Sequence, residues 1–308
     1  MNLLSGFIAQ LLHMALLAAA APTLIGVLHW LQARLSGHVG PPLLQPWRDL
    51  LRLLRKQPVR AESASVVTGQ APIACAAATA VAACLVPSFA LGMLFAPFAD
   101  LLLIFGLLIA ARWSLALTAV DAGTALGGIA ASRVVLLGCL VEPVLLLVML
   151  AAALLAGSLN LDLIAAMQQE GGWQIGSALA LAALLVVGLI DTTSRDMLAE
   201  QLSGPDLALV EASAAVRLLV WFNLIGAMFL PFGMAPAGTA APAAWALGLM
   251  CWLGKTLVFT AMVAAVKTLI GRISLARAAK ALGVAILLGL LATGFLLAQA
   301  GFAEAGTA

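Results

Sequence analysis

Two ionisable residues interrupt long apolar runs of the sequence, where a charge is costly. Glu142 lies nine residues after Arg133, about 13 Å further along a helix that includes both. Lys255 lies inside the apolar run 241–266. Within a membrane, such side chains need a counter-charge, hydration or a change of protonation state, and they often mark ion or proton paths. We therefore take both as candidates for proton movement, and Glu142 as one candidate partner of Lys255.

Each of the two residues also has a structural interpretation. Glu142 could be a neutral, hydrogen-bonded acid, and Lys255 could lie near the membrane surface if its helix begins elsewhere. Arg112, toward the end of the third predicted helix, could either reach the surface or pair with an acid. The sequence leaves these alternatives open.

A second group of ionisable residues falls in a predicted cytoplasmic connection, 191–211. Its acids could form a proton entry or a salt-bridged docking face, although a solvated loop explains them equally well. The group comprises Asp191, Asp196, Glu200, Asp206 and Glu211, together with Arg195 and, just beyond, Arg217.

A basic segment, "HVGPPLLQPWRDLLRLLRKQPV" (38–59), separates the first two apolar runs. Its apolar residues recur at helical spacing, and charged residues fill the other positions. Pro46 suits the first turn of a helix and Pro58 would stop it. The pattern predicts a short amphipathic helix within 41–58 at the cytoplasmic interface. It is either an anchor for anionic lipid headgroups or a docking platform for a cytoplasmic partner.

These residues must be positioned by a membrane-embedded chain. Of its 308 residues, 64% are hydrophobic and 9% charged, and the mean hydropathy is +1.14, so no soluble domain could bury its apolar surface. The composition predicts an all-α integral membrane protein, a single polytopic domain over 1–308. The first apolar run is interpreted as a retained helix rather than a cleaved signal. About eight spans are expected: 6–31, 71–95, 98–120, 133–157, 173–190, 214–234, 241–266 and 280–301.

Basic residues are distributed asymmetrically along this predicted topology. Apart from Lys255, the Lys and Arg residues lie in or beside the odd-numbered connections, and the alternate connections and both termini contain none. The positive-inside rule therefore predicts a multi-pass protein of the inner (cytoplasmic) membrane with both termini outside.

Several site classes are disfavoured by the sequence. The four cysteines fall in apolar runs without a CxxC pair, which favours buried thiols over a metal or disulfide site. "GLMCWLGKT" (248–256) superficially resembles a phosphate-binding loop, but it has five residues between its glycines and no preceding strand. We expect no metal in this chain, no nucleotide and no nucleic acid.

Four motifs, in order, carry a resemblance to a known family. They are "GPPLLQPWRDLLRLLRKQPV" after the first helix, "DAGTALGGIAASRVVLLGCLVEP" (121–143), "SGPDLALVEASAAVRLL" (203–219), and Lys255 with Arg272. Together they resemble the membrane subunit shared by respiratory complex I and the energy-converting nickel–iron hydrogenases, most of all the formate hydrogenlyase and hydrogenase-4 type.

The resemblance implies a membrane anchor and proton-path subunit that docks an iron–sulfur peripheral arm. The docking residues would be Gln45, Arg48, Asp49, Arg52, Arg55 and Lys56. The proton path would comprise Glu142, Lys255, Asp121, Arg133, Arg112, Asp191, Asp196, Glu200, Glu211 and Arg217. Iron–sulfur clusters and a nickel–iron site would belong to partner subunits. The implied partners are hydrogenase-like large and small iron–sulfur subunits, antiporter-like membrane subunits and the lipid bilayer.

The sequence departs from the family pattern at several positions. Val134 stands where a glutamate commonly follows the Ser–Arg pair, Lys267 replaces an acid, and the acidic stretch after the fifth helix is shortened. These departures argue against a complete proton path and against a quinone pocket. Two other functions nevertheless stay open at this point. One is a quinone-channel subunit of a complex I-like dehydrogenase, and the other is a stand-alone ion-coupled transporter.

Overall fold

The computed structural model describes residues 3–59, 64–171, 175–193, 202–237, 242–271 and 274–305. These residues form ten α-helices and one short 3₁₀ turn at Ala96–Phe98. The helices are α1 (Leu3–Leu35), α2 (Gln45–Leu54), α3 (Val66–Leu85), α4 (Leu101–Asp121), α5 (Ala125–Ala156), α6 (Leu161–Gly171), α7 (Ile175–Thr193), α8 (Gly204–Phe229), α9 (Pro242–Ile270) and α10 (Leu275–Ala305).

Eight of these helices are long and apolar enough to cross a membrane, which confirms the predicted fold class and number of spans. The two short ones are α2 and α6. The amphipathic α2 was predicted and ends at Leu54, before Pro58 could stop it. The helix α6 was not predicted, because the connection 158–172 carries no long apolar run.

The bundle is organised around α8. About 72% of the apolar window of α8 is buried, against 33% in α9 and in α10. The helix packs against α1, α2, α3, α6, α7 and α9, whereas α10 packs on α5 and α7. The outer faces of α9 and α10 are therefore left for lipid or for neighbouring chains.

The second span is shorter than predicted. The sequence predicts 71–95, but α3 ends at Leu85, because Pro87 restricts the preceding residue to an extended conformation. Val86 accordingly has φ −83° and ψ 114°. The ten residues that follow α3 do not continue as a helix.

The non-helical segments form a seam at the end of the bundle opposite α2. The N–H of Leu91 donates to the carbonyl of Ala235, whose own N–H donates to Phe89. In the same region, the N–H of Leu161 donates to the carbonyl of Ala99 at 2.7 Å, and the N–H of Gly92 donates to Oδ2 of Asp162 at 2.6 Å. The seam satisfies backbone groups that no helix pairs.

Two helices, α5 and α8, begin eight and ten residues earlier than the hydropathy predicts. α5 begins at Ala125 rather than near 133, because Oγ1 of Thr124 accepts from the N–H of Gly127 and caps the helix. α8 begins at Gly204 rather than near 214. The predicted 191–211 loop is therefore wrong at both ends, and three of its five acids lie within helices: Asp191 in α7, and Asp206 and Glu211 in α8.

Candidate functional site

The centre of the candidate site is Asp191, near the end of α7. Its Oδ1 accepts from Nη2 of Arg112 at 2.6 Å and from Nη2 of Arg217 at 2.9 Å. Its Oδ2 accepts from Nε of Arg217 at 2.6 Å and from the indole N–H of Trp221 at 2.8 Å. Three helices, α4, α7 and α8, therefore converge on one carboxylate. We call Arg112, Asp191 and Arg217 the triad.

The triad lies inside the bundle rather than at its surface. Asp191 is 2% exposed and Arg217 is 1% exposed. Arg217 is thirteen residues into α8, about 20 Å from the start of that helix. Since isolated buried ions cost several kcal/mol each, the carboxylate and the guanidinium of Arg217 must stabilise one another. The fork of Arg217 binds both carboxylate oxygens, which is the strong bidentate arrangement.

Arg112 links the triad to α5. The three triad side chains carry a formal charge of +1. Nη1 of Arg112 is buried and has no hydrogen-bond partner in the part of the chain that the structure describes. A Cβ added at Gly138 would lie 3.6 Å from this nitrogen, an ordinary contact, so the guanidinium lies against α5 at a position with room for only a small side chain.

Glu142 lies one turn beyond Gly138 on the same face of α5. It is half-buried, and it makes no hydrogen bond or ion pair with another described residue. The structure thus places Glu142 one helical turn beyond the residue of α5 against which Arg112 lies. These two predicted proton-path residues form no ion pair with each other in the described structure.

Lys255 is not the partner of Glu142. Its Nζ donates to the carbonyl of Leu230 at 2.5 Å, just beyond the end of α8. Because the last carbonyls of a helix lack partners and carry partial negative charge, the ammonium stabilises this terminus. One turn earlier on α9, Trp252 donates its indole N–H to Oδ1 of Asn223 at 2.8 Å. Lys255 therefore belongs to the seam end of the bundle, away from Glu142.

Asp121 joins the end of α4 to the start of α3. It accepts from the backbone N–H and the hydroxyl of Ser65 at 2.9 and 2.6 Å. It also accepts from the N–H and the hydroxyl of Thr68 at 3.1 and 2.5 Å. These four bonds make it a helix-capping group, and no contact joins it to the triad in the described structure. Arg133, half-buried in α5, is nine residues or about two and a half turns away from Glu142 and is not one of the triad.

The predicted docking residues lie on α2, which packs on α1 and α8. Asp49 accepts from Nε2 of Gln45 at 3.2 Å and lies 3.1 Å from Nη2 of Arg52. Of the leucines, Leu53 is buried, whereas Leu51 and Leu54 are about half exposed. The remaining basic residues, Arg48, Arg55 and Lys56, are exposed.

Two close contacts fix the position of α2. A Cβ at Gly26 of α1 would lie within 2.0 Å of the carbonyl oxygen of Leu43, so only glycine admits the chain there. At the other side, Gly204 has φ +59° and its Cβ position is 2.9 Å from the carbonyl of Gln57. The hydroxyl of Ser203 also donates to the carbonyl of Val59 at 2.8 Å. The start of α8, and with it Glu211, is thereby tied to the basic helix.

Some predicted residues fall outside the description, and one important residue was missed. Asp196 and Glu200 lie outside the described residues. Trp221 was not predicted, although it stands four residues after Arg217 and therefore on the same helix face. No group of three metal-ligating side chains is found within the described ranges.

The comparison with protein families shows to which family the chain belongs. The sequence profile of a family described as NADH dehydrogenase matches residues 7–197, from α1 to just beyond α7. The chain belongs to this NADH dehydrogenase family. The match includes Arg112, Glu142 and Asp191, whereas Arg217 lies beyond it.

Curated relatives and a solved structure extend the comparison. Hydrogenase-4 component C of Escherichia coli is 31% identical over 242 residues, 74% of this chain and 76% of that protein. Formate hydrogenlyase subunit 4 of the same organism is 29% identical over 246 residues, 75% and 80% of the two chains. The resemblance drawn from the motifs is thus confirmed.

The fold is shared more widely than the sequence. A chain of the membrane-bound sulfane sulfur reductase, an archaeal respiratory membrane complex, superposes with a TM-score of 0.79 at 20% identity. The superposition covers 94% of this chain and 99% of that one. The fold of this NADH dehydrogenase family member is therefore already known in a respiratory complex.

Proposed function

We propose that this chain is the membrane-anchor and proton-path subunit of an energy-converting hydrogenase or formate hydrogenlyase-type complex. The observation that carries the proposal is the buried triad, with an unused nitrogen of Arg112 directed toward the α5 face that bears Glu142. The kinship with hydrogenase-4 component C and formate hydrogenlyase subunit 4 supports the choice of complex.

Arg112 is the switching element in this proposal. In the structure the guanidinium of Arg112 is bonded to Asp191. In the proposed cycle it alternates between Asp191 and Glu142, and Glu142 is the residue through which the proton passes. A change of charge in a peripheral arm at the α2 end would bias Arg112 between the two carboxylates, which couples electron transfer to proton movement.

The basic α2 supplies the docking surface of the proposal. Arg48, Arg55 and Lys56 project a cluster of positive charge from a helix that two glycine contacts hold in place. The complementary face on the arm would be acidic. The arm would contribute hydrogenase-like large and small subunits with the iron–sulfur clusters and the nickel–iron site. Antiporter-like membrane subunits would receive the proton, and the chain would lie in the inner membrane with both termini outside.

Co-purification tests the proposed complex. The chain would be tagged at its C-terminus, extracted in mild detergent, and the co-purifying chains identified together with their iron and nickel. Iron–sulfur partners with nickel are expected. Iron–sulfur partners without nickel would instead favour a quinone-linked dehydrogenase, and a lone, metal-free chain that transports ions in liposomes would identify a transporter.

A further inference from the structure

One lysine lies deep within the membrane-spanning part of α9. Lys255 is thirteen residues after Pro242, where the helix begins, and fifteen before Ile270, where it ends, or about 20 Å and about 22 Å along the axis. The hydrocarbon core of a bilayer is about 30 Å thick, so a position midway along α9 lies below both headgroup layers. The seam is two turns away, where Gly248 packs against the carbonyl of Phe89.

The ammonium of Lys255 is bonded to a dipole and not to an anion. Its Nζ donates to the carbonyl of Leu230 at 2.5 Å, which uses one of its three hydrogens. In the described part of the chain no acid pairs with it. The thiol of Cys251, one turn earlier on α9, lies nearby but carries no formal charge. A lysine at this depth is costly without an anion, so its positive charge is left uncompensated within the chain.

The surface of α9 beside Lys255 is open to a neighbouring helix. Met250 is 74% exposed and Val258 is 67% exposed. Gly254 is also exposed, and no atom lies within 4 Å of the position that its Cβ would take. A small residue on such a face lets a second transmembrane helix approach closely. Lys255 is half-buried at the border of this face, within reach of a side chain on that helix.

We infer that the α9 face of Met250, Gly254 and Val258 packs against a transmembrane helix of a partner subunit, and that an Asp or Glu of that helix pairs with Lys255. Each of the two charges is costly alone in the membrane, and the pair compensates both. A lipid phosphate does not fit, because phosphates lie in the headgroup layers and this ammonium lies below them.

The inference rests on the part of the proposed function that gives the chain a membrane partner. It requires neither a hydrogenase nor a proton path. The iron and nickel content of the purified complex tests the proposed function, whereas a covalent link from Lys255 tests this contact. Each of the two can therefore fail while the other holds.

Zero-length crosslinking tests the contact in the wild-type complex. The chain, purified with its co-purifying subunits, would be treated with dicyclohexylcarbodiimide, an apolar reagent that activates carboxyl groups. The amine of Lys255 then forms an amide with the activated carboxyl, and the reagent leaves as its urea, having taken up the water that is lost. We expect mass spectrometry to show Lys255 joined to an Asp or Glu in an apolar segment of another chain. Lys255→Arg should abolish the link but retain the partner, because a guanidinium pairs with a carboxylate without forming this amide.

A neutral variant tests whether the charge holds the partner. Lys255→Met is expected to reduce the partner chain that co-purifies several-fold, whereas Lys280→Met, at an exposed lysine of α10, should retain it. Because Lys255 also bonds the end of α8, the wild-type crosslink decides if the methionine variant does not accumulate. Absence of a link to another chain, a link to an acid of this chain such as Glu142 or to phosphatidylserine, or full retention of the partner by Lys255→Met would each overturn the inference.

Discussion

Nη2 of Arg112 lies 2.6 Å from Oδ1 of Asp191. This ion pair joins α4 to α7, although few residues of these two helices pack against each other. The side chain of Arg112 crosses the gap by lying against α5 at Gly138. The triad is consequently sensitive to a residue that carries no charge. This relationship leads to three of the predictions that follow.

Removing the carboxylate of the triad should destabilise the protein. Asp191→Asn leaves the buried guanidinium of Arg217 without its anion, which typically costs about 3–5 kcal/mol. We expect a lower midpoint of thermal unfolding in detergent, measured by light scattering. The double variant Asp191→Asn with Arg217→Gln should lose less than the sum of the two single losses. Strictly additive losses would show that the pair does not act as a unit.

Neutralising Glu142 should uncouple the complex without dismantling it. Glu142→Gln keeps the size of the side chain but cannot take up and release a proton. We expect normal co-purification and a proton-to-electron ratio several-fold below that of the wild type, measured by acidification of inverted vesicles during turnover. Asp100→Asn, which alters a helix cap at the seam end, is the control. An unchanged ratio in Glu142→Gln would remove this residue from the path.

The space at Gly138 should be as important as the charges around it. In Gly138→Ala, the added methyl meets Nη1 of Arg112 at 3.6 Å, an ordinary contact, so near-normal proton movement is expected. Gly138→Val adds branches that displace the guanidinium, and we expect proton movement to fall toward the Glu142→Gln level. Assembly, checked by co-purification, serves as the reference. Equal behaviour of the two variants would contradict a switching role for Arg112.

Charge reversal on α2 should detach the arm. The triple change Arg48→Glu, Arg55→Glu and Lys56→Glu replaces exposed cations that make no intramolecular ion pair in the described structure. We expect loss of the co-purifying iron–sulfur chains while the membrane subunit still accumulates. Lys280→Glu, a single reversal on α10, should retain them. Full retention by the triple variant would instead favour the lipid-anchor interpretation of α2.

The stability of the seam should depend on pH through Asp162. Burial raises the pKa of this carboxyl above its ordinary value of 3.8, and the hydrogen bond from Gly92 opposes the shift only in part. The folded state therefore holds the proton to a higher pH than the unfolded state, so this residue reduces stability as pH rises from about 4 through the raised pKa.

Asp162→Asn tests this dependence directly. The asparagine oxygen can still accept from Gly92, and the side chain no longer ionises. We expect the variant to be more stable than the wild type at neutral pH and to lose less stability between pH 4 and 7, as measured by thermal unfolding in detergent. A steeper loss in the variant would show that the ionised carboxylate stabilises the seam.

Much of the fold was predictable because hydropathy reports the solvent of each segment directly. The eight spans follow from long apolar runs. Their ends were less predictable. Thr124 caps the start of α5 and Pro205 lies in the first turn of α8, so both helices begin outside the apolar runs, and a hydropathy scale takes no account of helix capping. The end of α3 at Leu85 was predictable from Pro87. The residues on both sides of this proline are apolar, however, and hydropathy therefore predicted a longer span.

The site was predicted as separate residues and not as an arrangement. Arg112, Asp191 and Arg217 were each proposed for the proton path, yet their convergence depends on which helices are neighbours, and spacing along the chain does not contain that information. For the same reason the sequence suggested Glu142 as a partner of Lys255, whereas the ammonium of Lys255 binds the carbonyl of Leu230 at the end of α8. Trp221 is the exception, because it lies one helical turn after Arg217, and this spacing alone could have predicted that the two side chains share a helix face.

The seam also matters for the access of water to the bundle. The amides and carbonyls named above are bonded to one another, so in the described ranges they offer no place for a file of water at the end opposite α2. In the proposed function, a proton that enters from the α2 end and reaches Glu142 would therefore leave sideways, through a neighbouring chain.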